Sequence, residues 1–436
     1  MPSFTSFTSP NQYTTETPAT TSKLNCAYIT GFTYQAPTFS GGNATNNPGN
    51  LFGWLIYSKA ILSNPASGTT GDTYVYYTNP FDFISDLNLI GNCASSAGVL
   101  INSDGTANTF GFFINDNTTA VKFSDSGVGN EFLHVLDYLA YGGNIVIAGT
   151  TAGLYSFITN EDQEIDLIMG ICGPDGYSAG FARSQNWLKN ESPYTVGIFP
   201  TTQVGLGYTN GASLLADQAF VSGATVADRV FSVYGQKTRT NLSVPSLLAN
   251  GTLTYTHALT PDVAGIFTRA KSRNEEFLSV AGSSRGYILN GDVSPAVNWS
   301  DSTLKNILKT SRVNYVLNFT TKFLGSDLVG CTASSSEPIV DERVGPAQLK
   351  TVVKRDVTNI AINYLYEINN ETTRTLLVAD IENYLTQYAS FLDTTQTQIT
   401  CDTTNNINNS STLNIFMSLK PLAGNTNFVL NINLTQ

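Results

Sequence analysis

Apolar residues in the last third of the chain follow two different spacings. Between residues 346 and 366, and again between 372 and 392, they recur three and four positions apart, as at Leu349, Val352 and Val353. In residues 413–419 and 428–434 they alternate with polar residues. The first spacing is that of a helix with one apolar face, and the second is that of a strand with one apolar face. The sequence therefore predicts two helices followed by two strands.

The first two thirds of the chain alternate between helical spacing and short all-apolar runs. Predicted helices over 132–139 and 178–190 lie between predicted buried strands at 145–148, 165–172 and 195–200. Such alternation is typical of an open α/β sheet. Other segments predicted to be regular are strands at 25–32 and 74–77, a short helix at 81–87, hairpins within 98–123 and a helix at 212–220. A further helix is predicted to have Thr260 as its N-cap and Pro261 at its first helical position.

These patterns predict an α/β (α+β) fold: an open mixed-sheet core lobe flanked by helices, with an outer β-rich lobe and extended N- and C-terminal arms. A chain of 436 residues is long enough for more than one lobe. We expect residues 1–23, which are rich in Thr, Ser and Pro, to form an extended arm. Residues 24–258 would form the N-terminal part of the core together with the outer lobe. Residues 259–395 would form the C-terminal part of the core, and residues 396–436 would form the final strands and an exchange arm.

Composition narrows the classes of function. The net charge is −11 and no stripe of Lys and Arg is present, which argues against direct contact with nucleic acid. The five cysteines are scattered, so neither a disulfide framework nor a zinc site is indicated. The first residues lack the pattern of a signal peptide, and no apolar run is long enough to cross a membrane, so we expect a soluble protein made in a cytoplasm.

The residues that catalysis would need are sparse. The two histidines are His134, which lies in a predicted amphipathic helix and suits a core position, and His257, which suits a capping or surface position. The glycine-rich segments do not have the order or spacing of a phosphate-binding loop. Asp402 near Asn405 and Asn406 fits either a calcium loop or, more commonly, a polar turn. The sequence thus predicts no enzyme activity, no cofactor and no metal.

Several short motifs resemble one known family. Val263-Ala264-Gly265, Arg269 and Ala281-Gly282 occur in that order, and Leu304, Leu308, Arg312 and Val313-Asn314 follow. Cys401-Asp402, Asn405-Asn406 and Leu419-Lys420-Pro421 close the series. This arrangement resembles the tail sheath proteins of contractile phages, pyocin-like particles and type VI secretion systems. Two features depart from that pattern: residues 1–23 lack the usual first strand, and Val230–Tyr234 stands where Tyr-Pro-Trp is common.

The resemblance implies a structural subunit of a virion, assembled in the host cytoplasm. Such subunits form a homo-oligomeric lattice around a tail tube, meet baseplate and tail terminator proteins, and contract to drive the tube through the host envelope; they touch neither nucleic acid nor membrane directly. Inter-subunit strand pairing would use Phe428, Leu430, Ile432 and Leu434. Lys350, Lys354 and Arg355 fit either a contact with the tube or, equally well, a solvated helix face. The alternative is another virion or surface-lattice protein, such as a capsid or baseplate subunit.

Overall fold

A computed structural model of the chain describes most of the predicted core. The described residues are 23–29, 39–40, 43–44, 74–83, 131–148, 150–170, 172–173, 176–177, 179–201, 227–242, 253–289, 292–294, 297–298, 300–318, 321–330, 343–421 and 428–435.

Strands and helices alternate through the first three quarters of these residues. The strands are β1 (Asn25–Ile29), β2 (Phe39–Ser40), β3 (Asn43–Ala44), β4 (Tyr74–Tyr77), β5 (Asn144–Ala148), β6 (Leu167–Met169), β7 (Cys172–Gly173), β8 (Gly176–Tyr177), β9 (Val196–Pro200), β10 (Val230–Tyr234), β11 (Gln236–Leu242), β12 (Leu253–Ala258), β13 (Asp292–Ser294), β14 (Val297–Asn298), β15 (Val313–Asn318), β16 (Lys322–Leu324), β17 (Gln398–Thr400), β18 (Thr412–Leu419) and β19 (Phe428–Thr435). The helices are α1 (Glu131–Leu139), α2 (Thr151–Glu161), α3 (Ala179–Asn190), α4 (Thr260–Ser272), α5 (Ser302–Thr310), α6 (Val344–Ile362) and α7 (Glu371–Leu385).

A nine-stranded mixed sheet forms the centre of the fold. Its order is β14-β15-β10-β9-β6-β1-β5-β4, with β16 also paired to β15. The pairs from β14 to β5 are parallel, whereas β4 and β16 pair antiparallel with β5 and β15. Parallel strands need crossover connections, and the helices between them supply these connections. The predicted mixed-sheet α/β fold is confirmed.

Alternate residues of the central strands enter two separate apolar clusters. In β1, Cys26 and Tyr28 join one cluster, whereas Ala27 and Ile29 join the other. Helices α1 and α4 cover the first face, and α2 and α3 cover the second. A sheet buried on both faces needs strands that are apolar throughout, which is why these strands are continuous apolar runs in the sequence.

Helix α4 is buried on almost every side. All of its residues from Thr260 to Ser272 except Lys271 are buried. Its Asp262 forms an ion pair with Lys237 of β11, whose ammonium also lies 3.2 Å from Asp137 of α1. These three side chains have no exposed surface. Because a buried charge is costly unless it is paired, this group fixes β11 against both helices.

The motif Val263-Ala264-Gly265 lies where α4 packs most closely. A Cβ atom at Gly265 would overlap the ring of Tyr141, so only glycine permits this approach. The hydroxyl of Tyr141 donates to Asp262 and accepts from the backbone N–H of Leu289. Arg269 donates to the backbone carbonyls of Arg285 and Tyr287.

The C-terminal residues form a second packed unit. Helices α6 and α7 and a three-stranded antiparallel sheet of order β17-β18-β19 enclose their own apolar cluster. The two predicted helices and two predicted strands are confirmed, although α6 ends at Ile362 and α7 at Leu385, earlier than predicted. The 3₁₀ turn Thr386–Tyr388 continues α7.

Other predictions have mixed outcomes. Helices α1 and α3, strands β1, β4, β5, β6 and β9, and the buried position of His134 are confirmed. The N-cap of α4 is Leu259 and not Thr260, so the predicted cap was wrong by one residue. Residues 1–22 of the predicted arm, the hairpins at 98–123 and the helix at 212–220 lie outside the described residues, as does the side chain of His257.

The Lys237→Met variant tests the buried ion group. It leaves two carboxylates buried near each other without their shared cation, and removing one partner of a buried ion pair typically costs about 3–5 kcal/mol. We expect a loss of that size in the free energy of unfolding, measured by chemical denaturation. The control is Lys189→Met on the exposed end of α3, where the change should be within about 0.5 kcal/mol. Equal stabilities of the two variants would contradict this role of Lys237.

Candidate assembly site

Strand β19 contains the residues predicted to pair between subunits. It pairs antiparallel with β18 over its full length, from Thr412 opposite Thr435 to Leu419 opposite Phe428. In this register Leu430 lies opposite Met417, Ile432 opposite Ile415, and Leu434 opposite Leu413. Ile432 is buried in the apolar cluster of the C-terminal unit. Within this single chain, therefore, the predicted arm residues form a strand with their own β18.

The sheet has β19 at one edge and the short strand β17 at the other. Within the described part of the chain, no further strand pairs with the outer edge of β19. An edge strand leaves a row of backbone N–H and C=O groups without ladder partners, and another chain can pair with them. The strand of eight residues is long enough to offer several such groups.

The Asn-rich turn before β18 is hydrogen-bonded to that strand. Asn406 donates to the carbonyl of Asn414 at 2.9 Å and accepts from the N–H of Asn414 at 2.6 Å. Asp402 accepts from the backbone N–H of Thr404, which closes a local turn. The polar-turn interpretation of Asp402 fits these contacts, and among the described residues no cluster of three or more His, Cys, Asp or Glu is placed to hold a metal ion.

Arg374 of α7 joins the helices to the same turn. Its guanidinium is almost fully buried and donates to the side-chain oxygens of Asn369 and Asn408. Asn369 in turn donates to the carbonyls of Ser410 and Thr412. No pattern in the sequence indicates that Arg374 is buried, because an arginine on a helix is usually solvated and only the tertiary contacts bury this one.

The three candidate tube contacts on α6 have different environments. Lys350 lies 3.5 Å from Asp228 of the turn before β10, and Arg355 lies 2.8 Å from Glu164 of the loop before β6. Lys354 is exposed. Lys350 and Arg355 thus bridge the C-terminal unit to the central sheet, and Lys354 is the member of the set that faces solvent.

Tyrosines extend this charged contact between the two units. Arg355 also pairs with Asp356, which accepts a hydrogen bond of 2.5 Å from the hydroxyl of Tyr384. Burial raises the pKa of the Tyr384 hydroxyl, and its hydrogen bond to Asp356 raises it further. Tyr388 stacks edge-on against Phe277, the residue that links the end of α4 to the C-terminal apolar cluster.

Asp166 lies beside this contact at the start of β6. Its carboxylate accepts the backbone N–H of Asn25 at 2.8 Å. Burial raises the pKa of the Asp166 carboxyl to about 6, despite the hydrogen bond from Asn25 and the nearby charge of Arg355.

Asp166→Asn tests this pKa shift. Since the folded-state pKa of about 6 exceeds the unfolded value of about 4, the folded protein binds the proton more tightly, and stability falls as pH rises from 4 to 6. We expect the free energy of unfolding of Asp166→Asn to show no such decline and to exceed that of the wild type at pH 7 by up to about 2 kcal/mol. The limit is set below the full effect of the pKa shift because Asp166 keeps some solvent contact. Denaturation curves at several pH values measure it.

Asp162→Asn is the control for this experiment, because Asp162 is exposed and has the positive φ of 51° that asparagine tolerates. The prediction is wrong if the free energies of unfolding of the wild type and of Asp166→Asn depend on pH in the same way between pH 4 and 6.

Comparison with known proteins gives a sequence relative and several fold matches. No family model matches the chain. A tail sheath protein of Vibrio phage KVP40 is 25% identical over 150 residues, which are 34% of this chain and 22% of the relative. The chain therefore matches less than a quarter of that relative's length.

The helical sheath of the anti-feeding prophage in its contracted state has a similar fold. The match covers 98% of this chain and 95% of that one, with a TM-score of 0.53 and 12% identity. A sheath tail protein from Desulfitobacterium hafniense is 13% identical, and its match covers 66% of this chain and 60% of that one with a TM-score of 0.42. The chain has the fold of a contractile sheath subunit, and its predicted resemblance to the contractile tail sheath protein family is confirmed.

Proposed function

We propose that the chain is a structural subunit of a contractile phage tail sheath. Copies would polymerise around a tail tube and contract to drive the tube through the host cell envelope for genome delivery. The observation that carries the proposal is the fold match to a contracted helical sheath over 98% of the chain. The partial sequence match to a phage tail sheath protein supports the same role. The protein would be a virion component with a structural and not an enzymatic role.

The C-terminal sheet supplies a physical route to polymerisation. The outer edge of β19 offers backbone groups to a strand of a neighbouring copy, and pairing of this kind builds a connected lattice. Alternatively, β19 leaves its own β18 and pairs with that of a neighbour, in which case Phe428, Leu430, Ile432 and Leu434 become inter-subunit residues. Either arrangement keeps subunits connected while their packing changes.

Energy for contraction would be stored in the contacts between subunits. A lattice assembled in a high-energy arrangement persists as long as the barrier to rearrangement is high. Subunits that move relative to one another as rigid bodies need a rigid interior. The buried ion group of Lys237, Asp137 and Asp262 would provide such rigidity. The other partners would be the tail tube, baseplate and tail terminator proteins, while nucleic acid and membrane are not contacted directly.

Deletion of residues 428–436 tests the role of β19 in assembly. We expect a folded monomer that no longer forms long sheaths, since the deletion removes the edge strand and the pairing partner of β18. Negative-stain microscopy measures assembly, and circular dichroism verifies folding, because the loss of buried Ile432 alone should cost about 1.5–3 kcal/mol. Phe416→Ser on the exposed side of β18 is the control and should assemble. Normal tubular sheaths from the truncated protein would exclude the arm hypothesis.

Lys354 allows the proposed tube contact to be tested without disturbing the fold. Substituting Lys350 or Arg355 would also break ion pairs to Asp228 or Glu164, whereas Lys354 is exposed. We expect Lys354→Glu to reduce cosedimentation of the protein with tubes assembled from the tube protein of the same particle, by about tenfold for one lost charge contact. Lys189→Glu on α3 is the matched control. If both variants cosediment like the wild type, Lys354 does not contact the tube.

A further inference from the structure

A fully buried lysine lies between two carboxylates where β11 meets α1 and α4. The ammonium nitrogen Nζ of Lys237 is 2.8 Å from Oδ1 of Asp262 and 3.2 Å from Oδ2 of Asp137. None of the three side chains has exposed surface. A protonated lysine does not react with a carboxyl group, whereas its neutral amine attacks carbonyl carbon atoms. This group therefore has the parts for a chemical reaction as well as for an ion pair.

Regular backbone structure positions all three side chains. Lys237 lies in β11, the middle strand of its three-stranded sheet, opposite His257 of β12 and Val293 of β13. Asp137 and Asp262 belong to helices α1 and α4, which pack against each other. Because each side chain starts from a regular element, the lysine nitrogen is held close to both carboxylates.

The group lies among buried apolar residues. Leu136 and Tyr138 flank Asp137 in α1, and Val263 follows Asp262 in α4. All three of these neighbours are buried in the same apolar cluster. Charges that are held away from water are costly even when they are paired. A reaction that removes a positive and a negative charge together would lower this cost.

The hydroxyl of Tyr141 also contacts the Asp262 carboxylate. It donates at 3.0 Å to Oδ1, the same oxygen that faces Lys237, and it accepts from the backbone N–H of Leu289. Burial raises the pKa of the Tyr141 hydroxyl well above its usual value, so the hydroxyl stays protonated. A fixed donor at a carboxyl oxygen stabilises the negative charge that develops there when a nucleophile adds to the carbon atom.

We propose that Lys237 and Asp262 condense after folding into an isopeptide bond that joins β11 to α4. The lysine Nζ forms a bond to Cγ of Asp262, the bond from Cγ to one carboxyl oxygen breaks, and one water molecule leaves. The 2.8 Å contact with Oδ1 brings Nζ near the distance of about 3–3.5 Å from Cγ at which aligned atoms react readily. This inference concerns the covalent structure of the single chain and does not depend on the proposed function.

The protons of the reaction balance within the group. One ammonium proton passes to the Asp262 carboxylate, which leaves a neutral amine and a neutral carboxyl group. After the amine adds to Cγ, the neighbouring carboxylate of Asp137 takes a second proton from the nitrogen and returns it to the departing hydroxyl, which leaves as water. The two charges of the pair are lost together, Asp137 regains its starting form, and no oxidant or cofactor is consumed.

Mass spectrometry of the denatured full chain tests the bond. We expect the purified wild type to be lighter than its sequence mass by one water molecule. Trypsin should then give a branched peptide that joins residues 230–239 to residues 240–269, because a lysine in amide linkage is not cleaved. A wild type that keeps its full mass after prolonged incubation in the folded state overturns the proposal. A branch that contains Asp137 instead shows that Asp262 is not the acceptor.

Two variants separate the roles within the group, and circular dichroism verifies that each one folds. Lys237→Arg keeps a positive charge but has no amine, so the chain should keep its full mass. Asp137→Asn keeps the pair of Lys237 and Asp262 but removes the proton acceptor, which should slow bond formation about a hundredfold or more. A folded Asp137→Asn chain that condenses at the wild-type rate excludes Asp137 from the reaction. The wild-type mass decides the proposal even where a variant does not fold.

An exposed ion pair of the same chain gives a matched control. Nζ of Lys271 lies 2.8 Å from Oε1 of Glu276, the same distance as in the buried pair, but both side chains keep contact with water. We expect no bond there, so Lys271→Arg should remain lighter by one water molecule like the wild type. A bond at Lys271 in place of Lys237 would overturn the role of the buried group. None of these outcomes bears on assembly, so the proposed function is tested separately.

Discussion

The fold depends on the burial of helix α4 between the central sheet and its surroundings. The polar side chains of a helix buried on nearly every side need partners within the protein, because unpaired buried polar groups are costly. Asp262 is satisfied by Lys237 and Tyr141, Thr268 by Tyr138, and Arg269 by backbone carbonyls of residues 285 and 287. These contacts join α1, β11 and the segment after α4 to one helix. The motif glycine, Gly265, is required because Tyr141 lies directly against it.

The C-terminal unit is attached to this core by contacts of a different kind. Its own apolar cluster is separate, and the two units meet through the first turn of α6, Phe277 and the ion pairs of Lys350 and Arg355. Partly exposed ion pairs contribute little to stability but fix orientation and exclude alternative packings. The sheet core and the C-terminal unit are therefore held in a defined arrangement. Within the sheet core, the buried ion group of Lys237, Asp137 and Asp262 resists distortion.

Assembly would use surfaces that the monomer leaves incompletely covered. The outer edge of β19 offers backbone hydrogen bonds, which an extended segment of a neighbouring chain can meet whatever its side chains. A connection made by backbone hydrogen bonds would keep subunits linked while their mutual orientation changes.

The sequence by itself determined the elements whose patterns are local. The apolar spacing of α6, α7 and β18, and the all-apolar runs of β5, β6 and β9, follow from helix and strand periodicity, so they were predicted with small errors at their ends. Strand β10 and the parallel neighbours of β1 were not predicted, because pairing joins residues far apart in the chain. Tertiary structure alone decided that Lys237 and Arg374 are buried and that Lys350 and Arg355 are paired within the chain. A charged side chain has no sequence pattern that separates a solvated position from a buried one, since its partners come from distant segments.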